Sequence, residues 1–527
     1  MPRRSDQSWV FARLSQLPLW QHFLDVASPE QHVMVSGLIQ YAAPVLDRVI
    51  ETFPTYTLHN HVHAENVVHL MGELLGTELE KLSGLEAAML ILASYFHDIG
   101  MVFTNSELAD IPNEPRFSEF LDVYLDAFVA FSQTGSLSPE IAERYCRWCH
   151  ADRASNYLDL AESEGRASLM WGVVPLKAYL SHLCQSHSLH AAYLKDDTRF
   201  PINFLGECDL CFCGLLLRLA DILDFDNSRS PESVYHLLGI ERQETSRHTL
   251  SDVEWRKHLA AEGFAFPKGI VRSSNYKVGF IAGPTSPAVE YDVRHFLNII
   301  EQEFSACSQV IRFSSEKWRD FPLPGNIDRS NIISNGYKYG EYLFSIDHTN
   351  VLNLFMGENL YDDPYVFIRE LLQNAIDATR HRLHFERCMG RNEFNPGSIT
   401  VTEWRDADGY QWIRVDDFGM GMDEHIINEF MLKVGKSYYE SPEFQADLVR
   451  YSRPGTPLFK PISRFGIGLL SCFIVGDRME VNTLRVPMHE GKAYPIRLSL
   501  PGLHGFYTLQ SGDCTPAAMP SATGGEQ

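Results

Sequence analysis

Over the first 235 residues, apolar side chains recur at spacings of three and four. Segments such as LEAAMLILASYFHDIG (85–100), SPEIAERYCRWCHADRA (138–154) and VVPLKAYLSHLCQSHSLHAAYL (173–194) show this, and few alternating β-branched runs interrupt them. That spacing draws an apolar stripe down one face of a helix, so this stretch must fold as helices packed on one another. The pattern then changes. GIVRSSNYKVGFIAG (269–283) alternates between glycines and reads as a hairpin, and SPAVEYDVRHFLNIIEQEFSACSQVI (286–311) reads as one long amphipathic helix. Residues 236–339 are therefore expected to form an α/β connecting element ending in the Pro/Gly/Asn-rich linker FPLPGNIDRSNIISNG. From about residue 340 helices alternate with strands such as SITVTEWRDADGYQWIRVDDFG, which predicts a second large domain over 340–510. The small, polar residues of 511–527 are expected to be a disordered tail.

The 527 residues exceed one typical domain of about 150 residues. The chain has 45 Lys+Arg against 68 Asp+Glu, a net charge of −23. So acidic a surface opposes broad binding to a phosphate backbone or an anionic membrane. The clean apolar stretch Leu85–Phe96 is interrupted by Glu86 and Ser94 and is shorter than the ~20 residues needed to span a bilayer. With no apolar leader in MPRRSDQSWVF, a cytoplasmic protein without membrane partners is expected. Its ten cysteines are then read as reduced thiols. Cys146-x-x-Cys149-His150 and Cys208-x-x-Cys211-x-Cys213 could suggest zinc, but the second lies in the apolar run CDLCFCGLLLRLADIL, where small buried cysteines are the expected reading.

His97-Asp98-Ile99-Gly100 closes an apolar helix and sets an imidazole beside a carboxylate, so both can face one cation. His63, His150, His187 and Asp221 occupy comparable apolar, helical contexts, where an unsatisfied polar side chain would be costly. Mixed imidazole and carboxylate ligands suit manganese, zinc, iron or nickel better than calcium. The order His … His-Asp … His … His … Asp resembles the HD-domain metal-dependent phosphohydrolases over roughly residues 51–235. That resemblance implies His63, His97, Asp98 and Asp221 as core ligands, with His150 and His187 completing a second metal site or contacting phosphate. His59 and His61 compete for the first position. The family includes nucleotide triphosphohydrolases, phosphodiesterases and nucleases, so the substrate, a phosphorylated small molecule or a nucleic acid, stays open.

Three boxes follow in the second half. In PYVFIRELLQNAIDATRHR, Glu370, Asn374 and Asp377 stand at i, i+4 and i+7 and share one helix face. A carboxylate one turn from an amide can hold a hydrolytic water beside Mg²⁺. IRVDDFGMGMD ends a strand in Asp417, an acceptor for an amino group, with Gly419 and Gly421 allowing close backbone approach. In ISRFGIGLLSCFIVGDRMEV, Gly466 and Gly468 precede a helix whose N–H groups can receive phosphates. Gly435-Lys436-Ser437 imitates the end of a P-loop, but Phe430 stands where that motif needs its first glycine.

The order and spacing of these boxes resemble the GHKL, or Bergerat-fold, ATPases shared by DNA gyrase, the ninety-kilodalton heat-shock chaperone, sensor histidine kinases and MutL. RELLQNAIDA and SRFGIGLLSCFIVGDRMEV are most similar to the heat-shock chaperone branch over roughly 340–485. The resemblance implies ATP and Mg²⁺ as ligands. It makes Glu370 the general base, Asn374 the Mg²⁺ ligand, Asp377 part of the nucleotide site, Asp417 the adenine contact and Phe465 to Gly468 the phosphate loop. FMLKVGKSYYESPEF would then be the ATP lid. The family also closes its sheet with a late Gly-Thr strand, and no counterpart is found between Thr483 and the polar tail. Incomplete adenine contacts are expected. The chaperone's middle and dimerisation domains are not found either, so a complete chaperone is not expected.

The expected fold is multidomain: an all-α HD domain over 1–235, the α/β connector over 236–339, and an α+β GHKL ATPase sandwich over 340–510. The leading functional expectation is an ATP-hydrolysing module that controls an HD-type phosphohydrolase through the helix near 288–312, in a possible homodimer. The alternatives are an ATP-switched chaperone-like scaffold with a non-catalytic helical domain, and an ATP-gated nuclease of a bacterial defence system.

Overall fold

Side-chain caps start the helices where the sequence supplies them. Ser28 opens α1 (Pro29–Leu46), Asn60 opens α2 (His61–Leu75) and Ser83 opens α3 (Gly84–Phe96). Ser28 and Ser83 each close a capping box, with Gln31 and Glu86, and so satisfy otherwise orphaned N–H groups. The computed structural model describes residues 8–166, 168–231, 234–235, 246–268, 272–340, 365–452, 459–462, 468–488, 493–502 and 507–511. Two compact units emerge: Met1–Phe120 with Leu137–Tyr342, and Leu121–Ser136 with Leu343–Gln527. Residues 236–339, expected as a separate connector, fall within the first unit. Residues 121–136 group with the second, although their sequence reads as part of the helical half.

In the first unit α3 is the central helix. All thirteen of its residues are buried, as an all-round apolar helix requires. It packs against α1 and α2; helix α4 (Leu125–Thr134) belongs to the second unit, and the chain then returns through α5 (Pro139–Cys149) to α6 (Lys177–Ser186) and α7 (Leu210–Leu223), which also pack on α3. Full burial of each Leu or Ile there contributes roughly 1.5–3 kcal/mol. By length and composition the stretch Pro29–Thr52 could cross a bilayer. In this unit, however, Val35, Leu38, Ile39, Ala42 and Ala43 are buried in the core.

A three-stranded sheet completes this unit, built from β1 (Ala261–Ala265), β2 (Tyr276–Ala282) and, after the long helix α8 (Pro287–Val310), β3 (Pro324–Ile332). β2 lies between the others, antiparallel to β1 and parallel to β3. This corrects two expectations. The partners of Tyr276–Ala282 are not a hairpin arm within 269–283, and the presumed linker FPLPGNIDRSNIISNG contains β3. Short-range pattern misses both, because the β2–β3 pairing spans a helix and β3 is largely polar.

The second unit is built on α9 (Val366–Cys388), followed in sequence by the hairpin β4 (Thr400–Arg405) and β5 (Gln411–Asp416) and, later, by helix α10 (Pro442–Tyr451). A second antiparallel sheet has the order β8 (Thr508–Ser511), β7 (Ile496–Leu500), β6 (Met479–Thr483). Ile427, Ile496, Leu498 and Leu500 form its core. β7 and β8 follow Thr483 where no closing strand was expected; each is short and stands apart from its neighbours in a turn-rich stretch. The tail expected from residue 511 begins at the end of β8, and residues 512–527 lie outside the described residues. Helix α4 packs on α10, where the Arg450 guanidinium lies 5.3 Å over the Phe128 ring and 3.3 Å from Asp122.

Glu86 ties the start of α3 to the end of the first unit. Its carboxylate is fully buried and accepts from Ser83 N–H at 2.8 Å, Trp318 Nε1 at 2.8 Å and Lys317 Nζ at 2.5 Å. Trp318 in turn stacks on Phe212 of α7 at 4.0 Å. Glu86→Ala should strand the buried indole N–H and remove the cap, lowering the urea stability of this unit by about 3 kcal/mol. Glu86→Gln, which keeps an acceptor, should cost less in the same unfolding experiment.

Candidate functional site

The first turn of α2 carries His63, and its orientation begins with the cap. Asn60 accepts the N–H groups of Val62 and His63, which fixes the helix start and turns His63 inward, where it is buried. His97 is the C-cap of α3, and Asp98 follows in a tight turn. His150 opens the 3₁₀ turn that ends α5. His187 caps α6, and Asp221 lies near the end of α7. Five elements far apart in sequence thus deliver six side chains to one place.

The six form two groups of three, His63–His97–Asp221 and Asp98–His150–His187. Within each group the possible ligand atoms lie within 4.8 Å of one another. The Nε2 atoms of His63 and His97 are 3.1 Å apart, and those of His150 and His187 are 3.0 Å apart. Asp98 faces both groups: Oδ2 is 3.4 Å from His63 Nε2 and 3.3 Å from His97 Nε2, while Oδ1 is 3.3 Å from His150 Nε2 and 3.7 Å from His187 Nε2. Asp221 Oδ1 lies 3.4 Å from His63 and 3.7 Å from His97.

The outward ring nitrogens show what the inward ones can do. Nδ1 of His97 meets the Ser94 carbonyl, that of His150 the Arg147 carbonyl, that of His187 the Cys184 carbonyl, and that of His63 the Asp224 carboxylate. Each of these partners only accepts, so each Nδ1 must donate, leaving a lone pair on Nε2 of the neutral ring. Four such lone pairs beside two carboxylates fit two divalent transition-metal ions with Asp98 shared.

The carboxylates draw protons onto the rings of the first group, which a bound cation would have to displace. Burial and the Arg229 cation push the His63 imidazole down, but its bonds to Asp221, Asp224 and Asp98 outweigh them and hold it at about 9. Burial opposes charge on His97 too, yet Asp98 and Asp221 raise it well above the ordinary imidazole value. Burial, with the neighbouring His97 and His150, pushes His187 down to about 4. Burial disfavours the Asp98 and Asp221 carboxylates, but the imidazoles around them keep both well below the usual carboxylate range.

Of the competing histidines, His61 pairs with Asp47 at 2.5 Å and His59 accepts from Arg229 at 2.6 Å; neither belongs to the two groups. Three residues went unnoticed in the sequence: Asp224, Asn66 and Arg229. Asp224 stands three positions after Asp221 in LADILD, and Asn66 three after His63 in HVHAEN, so one helical turn links each to a ligand. The cysteines of the two Cys-x-x-Cys stretches are buried free thiols, and burial pushes Cys149 up to about 11 and Cys211 to about 12.

In the second unit, Glu370, Asn374 and Asp377 lie on α9. A methyl group at Gly468 would stand 2.3 Å from Glu370 Oε2, so the loop glycine lies directly against this carboxylate. Asp377 is fully buried, and both its oxygens accept the Ile462 N–H, at 2.9 and 2.8 Å. It latches the chain that leads into the glycine loop. Asp417 Oδ1 accepts the Gly419 N–H at 2.8 Å. Gly419 abuts the Ala378 backbone of α9, where a methyl would come within 2.5 Å. Gly421, at φ +64°, abuts the Leu484 carbonyl. The Thr483 hydroxyl accepts the Met422 N–H at 2.7 Å, clamping this loop to the end of β6. Phe465 and Gly466 lie outside the described residues.

The segment 430–444, expected as a lid, leads into an aromatic cluster on the same helix α9. Tyr439, Phe444, Tyr451 and Phe459 surround His381, which burial first, and then the Arg485 cation and the neighbouring His384, push down to about 3. A neutral His381 meets the Tyr451 hydroxyl at 2.9 Å.

Residues 53–305 match the HD-CE family model. The chain is 32% identical over 160 residues to the chaperone protein HtpG of Psychromonas ingrahamii, covering 29% of this chain and 23% of that protein. It is 30% identical over 143 residues to HtpG of Colwellia psychrerythraea, covering 27% and 21%. It is 29% identical over 143 residues to the mitochondrial TNF receptor-associated protein 1 homolog of Dictyostelium discoideum, covering 27% and 19%. The chain thus spans about a fifth to a quarter of the length of these relatives. It carries an HD-type domain and a distant likeness to HtpG chaperones.

Gly100 allows the two metal-ligand turns to meet, since a methyl there would stand 2.0 Å from the His150 carbonyl oxygen and 2.9 Å from Arg153 Cβ. Gly100→Ala should displace the His150 turn at a cost of about 1–3 kcal/mol. Metal analysis alongside thermal unfolding should show loss of one metal equivalent at temperatures where the protein remains folded.

Proposed function

We propose that the first unit is an HD-type, two-metal phosphohydrolase acting on a phosphorylated small molecule or nucleic acid, and that the second is a GHKL-type ATP-binding and ATP-hydrolysing module whose nucleotide state controls it. The observation that carries the first part is the Nδ1 anchoring of all four imidazoles, which turns four Nε2 lone pairs toward the buried Asp98 and the partly buried Asp221. His63, His97 and Asp221 would hold one cation, and His150 and His187 the other, with Asp98 reaching both. Bound there, divalent cations polarise a phosphoryl oxygen and acidify water for in-line attack. The chain itself fixes ring orientation, keeps Asp98 and Asp221 ionised and shields the centre within an apolar helical core.

Support for the second part comes from the approach of Gly468 to Glu370, the clamped Asp417–Met422 loop, and the likeness to HtpG. In this reading Glu370 is the general base, Asn374 holds Mg²⁺, Asp417 contacts adenine, and Phe465, Gly466 and Gly468 contribute to the phosphate loop. Asp377 belongs to the nucleotide site and also anchors the Ile462 N–H. A cytoplasmic setting and ATP-linked homodimerisation belong to the same proposal.

Phosphate release tests it. With Mg-ATP, Glu370→Ala should lower turnover about 10²-fold or more while Asp98→Ala leaves it unchanged. With manganese and a panel of nucleotides and phosphodiesters, Asp98→Ala should abolish turnover and Glu370→Ala should remove only its response to ATP. Loss of ATP hydrolysis in Asp98→Ala alone would instead make the helical unit the ATP hydrolase. Absence of bound metal and of any Asp98-dependent turnover would favour a docking role for that unit.

A further inference from the structure

The four imidazoles of the centre differ in what holds them. His97, His150 and His187 each donate Nδ1–H to a backbone carbonyl of their own helix end. His63 alone has a side-chain carboxylate there: Asp224 Oδ2 lies 2.5 Å from its Nδ1, and Asp224 is itself buried. The other oxygen, Oδ1, accepts from Asn66 Nδ2 at 2.8 Å, and the same amide nitrogen reaches Ser228 Oγ at 2.9 Å. Arg229 Nε stands 3.8 Å from Oδ2. A carboxylate only accepts, so Asn66 must present its NH₂ to it. The amide therefore fixes which atoms face Asp224, and Asp224 fixes which nitrogen of His63 carries the proton.

We infer that Asp224 and Asn66 are positioning residues for the metal centre: they hold His63 as the Nδ1–H tautomer and make the His63–His97–Asp221 group the tighter of two unequal metal sites. This rests on the metal-centre reading given under Proposed function. A carboxylate behind a ligating imidazole orients the ring and raises its basicity, and losing such a partner typically costs about 10–100-fold in metal affinity. The second group has only carbonyls behind its imidazoles and lacks that reinforcement.

The hydrogen-bond polarity makes a specific demand on substitution. In Asp224→Asn, with the Asn66 amide kept in its wild-type orientation, the new amide turns its oxygen toward the Asn66 NH₂, which leaves its own NH₂ facing His63 Nδ1. That nitrogen must then accept, and the proton moves to Nε2, the atom that points at the metal. Adding Asn66→Asp reverses the chain of donors. The carboxylate at 66 accepts from the amide at 224, whose oxygen again receives Nδ1–H, and the Ser228 hydroxyl can rotate to donate to position 66.

The experiment is Mn²⁺ titration of the metal-stripped full-length chain by calorimetry, with ¹⁵N NMR of the histidine rings, at a pH high enough to leave them neutral, reporting the tautomer before metal is added. Wild type should bind two equivalents in unequal steps, and His187→Ala should lose the weaker one. Asp224→Asn should weaken the tighter step about 10–100-fold, spare the weaker step, and shift the His63 proton to Nε2. Asn66→Asp in the same chain should restore both the tautomer and most of the affinity, a recovery that general destabilisation would not produce. Two equivalents in wild type with the tighter step unchanged in Asp224→Asn would overturn the positioning role alone. So would weakening that the second substitution fails to reverse. A wild type that binds no Mn²⁺ would overturn the metal-centre reading and this inference together.

Discussion

Six titratable side chains meet inside the first unit where little water reaches, and the helices around them take their places from that meeting. Burying carboxylates and imidazoles together is tolerable only when every proton has an assigned seat, because an unpaired polar atom in such surroundings costs about 1–3 kcal/mol. The carbonyls at the ends of α3, α5 and α6 provide those seats at no cost in extra residues: each helix terminus has acceptors to spare, and a histidine placed at the cap uses one. The same economy explains why the ligands sit at helix ends. Mid-helix, the nearby carbonyls are already engaged, and an inward imidazole would have nothing to hold its outer nitrogen.

Much of this was legible in the chain. The apolar spacing predicts the helices, and the caps Ser83 and Ser138 mark where two of the ligand-bearing ones start. His97-Asp98, His150, His187 and Asp221 stand out because polar residues at the ends of apolar helices need a reason. Which of His59, His61 and His63 turns inward was not legible, since consecutive alternate positions on a helix start differ only by the angle the cap imposes. Asp224 was invisible for a similar reason: its partner His63 is 161 positions away. Pairing across a sheet hid β3 in the same manner, since a polar strand gains its place from β2 rather than from its own pattern.

The glycines of the second unit illustrate a different kind of legibility. Gly419 and Gly421 were read as allowing close backbone approach and Gly468 as part of a phosphate loop, and the structure also shows each pressed against protein: α9 backbone, the Leu484 carbonyl and the Glu370 carboxylate. The absence of a side chain here serves assembly of the loops as much as access to them. Asp377 gains a contact of this kind too. On the helix face it reads as part of the nucleotide site, and its two oxygens also accept the Ile462 N–H ahead of the glycine loop, with Arg380 Nη1 3.5 Å from Oδ1. Reading spacing alone cannot separate a residue that touches a ligand from one that holds the loop that does.

The segment 121–136 has a consequence for how the molecule is made. Asp122 and its partner Arg450 are separated by 328 positions, so helix α4 is synthesised long before α10 exists to receive it. On the ribosome the first unit can acquire nearly all of its helices while α4, looped out between Phe120 and Leu137, waits with its packing face unclaimed. Helix α4 meets its packing partner only when α10 has been made, while the chain that follows it runs on through α5 to His150. The two halves are interleaved in time as well as in sequence, and no single cut separates them cleanly.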